Sequence, residues 1–264
     1  MELKGRTAIV TGSGTGVGQA IAVEFARHGA KVVCAARRKE CLNETVALIR
    51  EEGGEGLAVP TDITQHDQVE NLVDRTLREY GAIDVLYNNA GSFRSIAGIF
   101  EADPELWWGD VTVNLFGTFL CCRMALPHMI ERDEGIIINM SGGGAGRALP
   151  GGSGYGCSKA GVVRLTDGIA RECERIGSKV LAFTMGPGFV RTEMTELQID
   201  TPEGRKWIPS SKDAVEAGRD RDPYDCARSS VELIRVACPE INGRGFGAGT
   251  DFDKVIRETR ASSG

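Results

Sequence analysis

Tyr155 and Lys159 stand four residues apart, a spacing that sets a phenol and an ammonium on one face of a helix. A free tyrosine ionises near pH ~10 and is a poor base at neutrality, but an adjacent ammonium stabilises the phenolate and lowers that value. The pair is therefore expected to exchange a proton with the oxygen of a carbonyl or an alcohol.

A second constellation lies near the N-terminus. Thr11 to Gly18 reads Thr-Gly-Ser-Gly-Thr-Gly-Val-Gly, between a β-branched run and a helical pattern from Gln19 to His28. The common GxGxxG fingerprint fails, because Val17 stands where its third glycine would fall when counted from Gly12; TGxxxGxG fits instead. The physical task is the same. Residues Gly12, Ser13, Thr15, Gly16, Val17 and Gly18 would form a tight turn whose backbone approaches a pyrophosphate and whose following helix offers free N–H groups to its charge. Further on, where an NAD-selective site holds a carboxylate for the ribose 2′-hydroxyl, the chain has Ala35, Ala36, Arg37 and Arg38. Two guanidinium groups suit a 2′-phosphate, so NADP(H) is expected over NAD(H).

These groups need a scaffold. Apolar runs at 7–11, 31–35, 56–60, 83–87, 135–140 and 179–185 alternate with helical patterns, and a seventh strand is expected at 243–248. That alternation predicts an α/β, Rossmann-type, doubly wound parallel sheet of about seven strands with helices on both faces. One domain over residues 1–264 is expected. The stretch 192–223 breaks the rhythm: it is charged, holds Pro202, Pro209 and Pro223, and carries Trp207. It is expected to be a loop that covers the substrate.

Bulk properties exclude several classes. The net charge of −6 comes from interspersed acids and bases, with no basic block for nucleic acid. Eight cysteines contain no CxxC pair, and His28, His66 and His128 are scattered, so no metal site is expected. Free thiols, the absence of a leader-like segment and the lack of a long apolar stretch predict a cytoplasmic protein without a membrane partner.

In its motifs and their order the sequence resembles the short-chain dehydrogenases/reductases. TGxxxGxG is followed by Asp62 and Ile63, then Asn88, Asn89, Ala90 and Gly91, then Asn114, then Tyr155 and Lys159 as YxxxK, and then Pro187, Gly188, Val190 and Thr192 within PGxxxT. The resemblance implies adenine contact by Asp62, and sheet support and cofactor lining by the Asn88–Gly91 segment. It implies a helix kink and a proton-relay water at Asn114, a grip on the nicotinamide ribose by Lys159, and a tetrameric or dimeric homo-oligomer.

One departure stands out. The family's catalytic serine lies 13 residues before the tyrosine, and that count lands on Gly142. The hydroxyl is one step earlier, at Ser141, followed by three glycines. Side chains alternate along a strand, so a regular backbone would aim Ser141 away from the cleft. Either the turn is bulged and Ser141 or a backbone N–H polarises the substrate oxygen, or the group comes from elsewhere, Ser153 included.

The expected activity is NADP(H)-dependent interconversion of a small carbonyl compound and a secondary alcohol. Two rivals remain open: a redox-neutral lyase, dehydratase or epimerase on the same fold, and a non-catalytic nucleotide-binding regulator. Ser92, Phe93, Arg94, Arg147, Leu149, Phe189, Thr195, Arg205, Lys206 and Trp207 are expected to wall the substrate pocket, the arginines favouring a hydroxylated or anionic substrate.

Overall fold

The structure, a computed structural model, describes residues 1–262. Seven strands, β1 (Thr7–Thr11), β2 (Lys31–Ala36), β3 (Glu55–Pro60), β4 (Val85–Asn88), β5 (Ile136–Met140), β6 (Leu181–Gly186) and β7 (Gly245–Gly247), form one sheet in the order β3-β2-β1-β4-β5-β6-β7. Every pairing is parallel. The expected fold class is the one observed, and the strands begin and end within about two residues of their expected places at all seven positions.

Strand alternation splits the core into two layers. Along β1, Ala8 and Val10 face one side and Ile9 the other. The first side packs against α1 (Gly16–Arg27), α2 (Lys39–Glu51) and α10 (Pro223–Val236). The second packs against α3 (His66–Tyr80), α5 (Thr118–Glu131) and α6 (Ser153–Arg175). Both faces are thus covered, which is why the inner strands are mostly apolar and buried along their length.

The order reverses at β1: the chain builds outward through β2 and β3, then returns to β4 on the other side. At such a switch point the loops above the carboxyl ends diverge and leave a crevice.

The helical run Pro104–Glu131 is long and apolar enough to cross a membrane by length and composition. Its inner face is core, with Leu120, Cys121, Cys122, Ala125 and Met129 buried on the sheet. The run comprises α4 (Pro104–Val111), a π-helical turn (Thr112–Gly117) and α5.

The segment expected as a loop at 192–223 is instead largely helical: α7 (Glu193–Asp200), α8 (Pro202–Trp207) and α9 (Pro209–Glu216). The prolines that read as breakers start helices, since Pro202, Pro209 and Pro223 each occupy a first-turn position where the missing N–H costs nothing. Thr192 caps α7 through a reciprocal hydrogen-bond pair with Thr195, and the Thr201 hydroxyl caps α8.

Candidate active site

A cleft of about 1620 Å³ opens over the carboxyl ends of the strands. Its walls include Gly12, Thr15 to Gly18, Arg37, Arg38, Asp62, Ile63, Asn89 to Gly91, Ser141, Tyr155, Lys159, Pro187, Gly188, Val190 and Thr192, so residues dispersed over most of the chain converge. Two expected site residues do not line it. Ser13 is fully buried beneath the glycine turn, and Asn114 is fully buried behind the wall.

The glycine turn is built for close backbone approach. Gly12 has φ +66, and a Cβ there would come within 2.7 Å of the Ala90 α-carbon. A Cβ on Gly18 would overlap the Gly12 carbonyl oxygen and the Asn89 side chain. Asn89 locks the arrangement by donating from Nδ2 to the carbonyls of Thr11 and Gly12, at 3.0 and 3.2 Å. At the start of α1, Thr15 gives no side-chain cap. The N–H groups of Thr15, Gly16, Val17 and Gly18 find no acceptor outside the helix among the described residues. A cradle too tight for side chains, ending in unpaired donors, fits a pyrophosphate.

The two arginines differ. Arg38 donates from Nη2 to both carboxylate oxygens of Glu193 at 3.1 Å, reaching from the start of α2 to the start of α7. Arg37 lines the same cleft with no ion-pair partner among the described residues. Asp62 accepts from the Thr64 N–H and hydroxyl, which fixes its carboxylate at the cleft wall.

Below the cleft, a polar ladder joins strands to helix. Asn88 and Asn139 are register partners; Asn88 donates to Asn139, which donates to Thr166 of α6 at 2.9 Å. The same helix carries Tyr155 and Lys159, and Lys159 Nζ donates to the Met140 carbonyl at 2.9 Å, at the end of β5. Nζ lies 5.6 Å from the Tyr155 ring centroid.

The expectation that the ammonium acidifies the phenol is reversed in the protein alone. Burial, with the Asp110 charge second, pushes the Tyr155 hydroxyl up to about 12, while burial pulls Lys159 down to about 8. Desolvation disfavours both charged forms.

Asn114 lies inside the π-helical turn, where the resemblance implied a kink. Its side chain accepts from the Ser92 N–H and donates to the Ser92 carbonyl and the Ser158 hydroxyl. It therefore clamps the chain after Gly91.

At the serine position the structure decides the local geometry. Ser141, one residue beyond β5, donates its N–H to the Met185 carbonyl at 2.8 Å and lines the cleft. The residue that faces the Tyr155 hydroxyl is Gly142, where an added Cβ would overlap that oxygen. Ser153 is engaged elsewhere, accepting from Trp107 Nε1 at 3.0 Å.

Of the residues expected to wall a substrate pocket, Ser92, Phe93, Arg94, Arg147, Leu149, Phe189 and Thr195 line the cleft, together with Met194 and Ile208. Arg205, Lys206 and Trp207, expected in this wall, lie outside it. Arg205 donates to the carbonyls of Ile199 and Asp200, Lys206 pairs with Glu101, and Trp207 is wedged against Gly98 and Gly151.

Sequence reasoning missed Asp110, which is fully buried in α4 and accepts four hydrogen bonds. A signal existed: an acid among Trp108, Val111 and Val113 in a core-like helix needs internal partners. Glu193, opposite Arg38, had no comparable signal.

A family model described as short chain dehydrogenase matches residues 6–203. The chain is 36% identical over 250 residues to a 3-oxoacyl-[acyl-carrier-protein] reductase of Thermotoga maritima, covering 94% of this chain and 97% of that one. An uncharacterized oxidoreductase of the same organism is 35% identical over 252 residues, covering 95% and 94%. Among solved structures, an F189W actinorhodin polyketide ketoreductase with NADPH superposes with a TM-score of 0.81 at 30% identity, covering 92% of this chain and 95% of that one. With the glycine turn, the Tyr155–Lys159 pair and these matches together, the chain belongs to the short-chain dehydrogenase/reductase family and is an NAD(P)-dependent oxidoreductase.

Proposed function

We propose that the protein is an NADP(H)-dependent oxidoreductase that interconverts a small carbonyl compound and a secondary alcohol, with Tyr155 as the proton-transfer residue and Lys159 as its partner. The observation that carries this reading is the convergence of Tyr155, Lys159, the glycine turn and Arg37 on one cleft. When bound, the dinucleotide supplies or accepts the hydride.

The residues divide the remaining work. Gly12 to Gly18 receive the pyrophosphate, Asp62 and Ile63 border the adenine, and Arg37 meets the 2′-phosphate. The segments Asn89–Gly91 and 187–192 hold the nicotinamide half. Tyr155 keeps its proton at neutral pH because its pKa is pushed up to about 12, which suits donation to a carbonyl oxygen. Lys159, anchored on the Met140 carbonyl, is cationic below about pH 8 and stabilises the phenolate left behind. Ser141, at the cleft wall, is assigned to polarise the substrate oxygen, because Ser153 is engaged by Trp107.

Helices α7 to α9 are assigned to cover the substrate, since Met194, Thr195 and Ile208 reach the cleft. A homo-oligomer is supported by Trp108, Phe116 and Phe119, exposed large side chains on the run Pro104–Glu131. Eight free cysteines suit a reducing cytoplasm.

The test is NADPH consumption across a panel of ketones, with Tyr155→Phe as control. Stoichiometric oxidation that Tyr155→Phe abolishes, with NADPH still bound, supports the reading. Product without net cofactor change would instead support a redox-neutral enzyme, a reading motivated by Gly142 at the serine position.

A further inference from the structure

Asp110 is a buried carboxylate with no cationic partner among the described residues. It accepts from the Ser92 hydroxyl at 2.6 Å, from the Arg94 N–H at 3.0 Å to either oxygen, and from the Ser95 N–H at 2.9 Å. These donors all belong to the loop that follows Gly91. Asn114 grips the same loop at Ser92, through both backbone groups of that residue.

Between the residues so held lies Phe93, which is 3% exposed. Its ring stacks on that of Tyr155 with centroids 4.5 Å apart and planes 14° from parallel. Phe93 and Ile96 also pack with Leu149, Met194, Trp207 and Ile208, joining Tyr155 to the helices assigned above to cover the substrate.

Burying a lone charge is costly, and a fold retains one where several donors must be satisfied at once. Neutral side chains do this poorly: an asparagine would turn an N–H toward backbone N–H groups.

We propose that Asp110 is a positioning residue for this reaction: it ties the Ser92–Ser95 loop into the shape that lays Phe93 flat on Tyr155 and so sets where the phenol stands. The inference rests on the assignment of Tyr155 as the proton-transfer residue. An electrostatic consequence accompanies it. The Asp110 charge adds to burial in holding the phenol proton, against the opposing ammonium of Lys159 on α6 and the Arg94 and Arg147 side chains at the cleft wall.

The experiment compares Asp110→Asn, Phe93→Ala and Phe93→Tyr with the unaltered enzyme, using NADPH and whichever ketone of the panel turns over fastest. In Asp110→Asn, kcat is expected to fall on the order of tenfold to a hundredfold, the scale of a misplaced reacting group, with NADPH affinity within about twofold. Loss of a negative charge favours the phenolate, so the basic limb of the pH profile is expected to move to lower pH. Phenolate difference absorbance should follow it. Phe93→Ala is expected to lose kcat without moving that limb, and Phe93→Tyr to recover most of the loss.

Unchanged kcat and an unmoved limb in a folded Asp110→Asn would overturn the inference. If that variant does not fold, Phe93→Ala carries the test, and unchanged kcat there overturns it equally. Should Tyr155→Phe remain active, the role of Tyr155 fails instead; should Tyr155→Phe be inactive while the Asp110 and Phe93 variants behave as the parent, only the positioning inference fails.

Discussion

The Tyr155 hydroxyl occupies the space that the Cβ of any side chain at Gly142 would need. Gly142 therefore does more than omit a hydroxyl, since it admits the tyrosine to a seat that a serine Cβ would occupy. Gly142→Ser is expected to lower kcat/KM by about tenfold or more, although it restores the family's residue type, because the phenol must move aside. Steady-state kinetics on the folded variant decides. A rise in activity would mean that a missing hydroxyl, and not phenol placement, limits the rate.

On the proposed NADP(H) preference, Arg37 and Arg38 are expected to contribute unequally, because Arg38 is already paired with Glu193 across the cleft while Arg37 is not. Arg37→Ala is expected to weaken NADPH by at least about tenfold and NADH hardly at all, the cost of one charge-assisted phosphate contact. Glu193→Gln frees the second guanidinium. An exposed pair is worth up to about 1 kcal/mol, so NADPH should tighten by no more than about fivefold. Fluorescence titration of both dinucleotides measures each effect; equal losses of NADPH and NADH in Arg37→Ala would refute 2′-phosphate recognition.

The sheet was legible because short apolar runs alternate with helical patterns, and the end of the cleft expected to take the cofactor because the glycine turn must sit where the first strand meets the first helix. The substrate end was harder to read. Trp207 looked like a pocket wall, yet its ring is spent on Gly98 and Gly151, contacts between segments far apart in the chain. The loop expected at 192–223 turned out helical because each proline opens a new helix, and nothing local separates that from a break. The acidified phenol failed as an expectation for a different reason: spacing reveals that two charges are neighbours, but only packing reveals how dry they are.

Asp84 anchors the opposite end of the sheet and supplies a stability prediction independent of catalysis. Its carboxylate is 3% exposed, accepts from the Thr7 N–H at 2.8 Å, and pairs with Arg6 and Arg132 at 3.0 Å each. Asp84→Ala removes the buried carboxylate that Arg6 and Arg132 share, leaving them Glu134 alone, and leaves the buried Thr7 N–H without an acceptor. The expected loss is about 3 kcal/mol or more, read from the urea midpoint at constant slope. A loss under about 1 kcal/mol would show that the two arginines re-pair with Glu134, which already lies 2.8 Å from Arg6.

Lys159 makes the fold itself pH-sensitive, with a sign that can be worked out. Burial lowers its pKa from 10.5 to about 8, so between those values the unfolded chain binds more protons than the native one. Stability due to this residue therefore rises as pH climbs from about 8 to 10.5, and the cost of burying its charge is fully present below that window. Lys159→Met removes the cost together with the hydrogen bond to the Met140 carbonyl. Near neutral pH the variant should be more stable by about 1 to 3 kcal/mol, the shift less one lost hydrogen bond. The advantage should shrink through the window and turn above it into a deficit of about one hydrogen bond, roughly 1 kcal/mol. Other buried groups have overlapping windows, Cys226 among them, its thiol pushed by burial from 9.0 up to about 11, so the measured quantity is the difference between the two proteins at each pH. A difference that does not change with pH would mean that the ammonium is solvated in the folded state, leaving no desolvation to weaken its hold on its own proton.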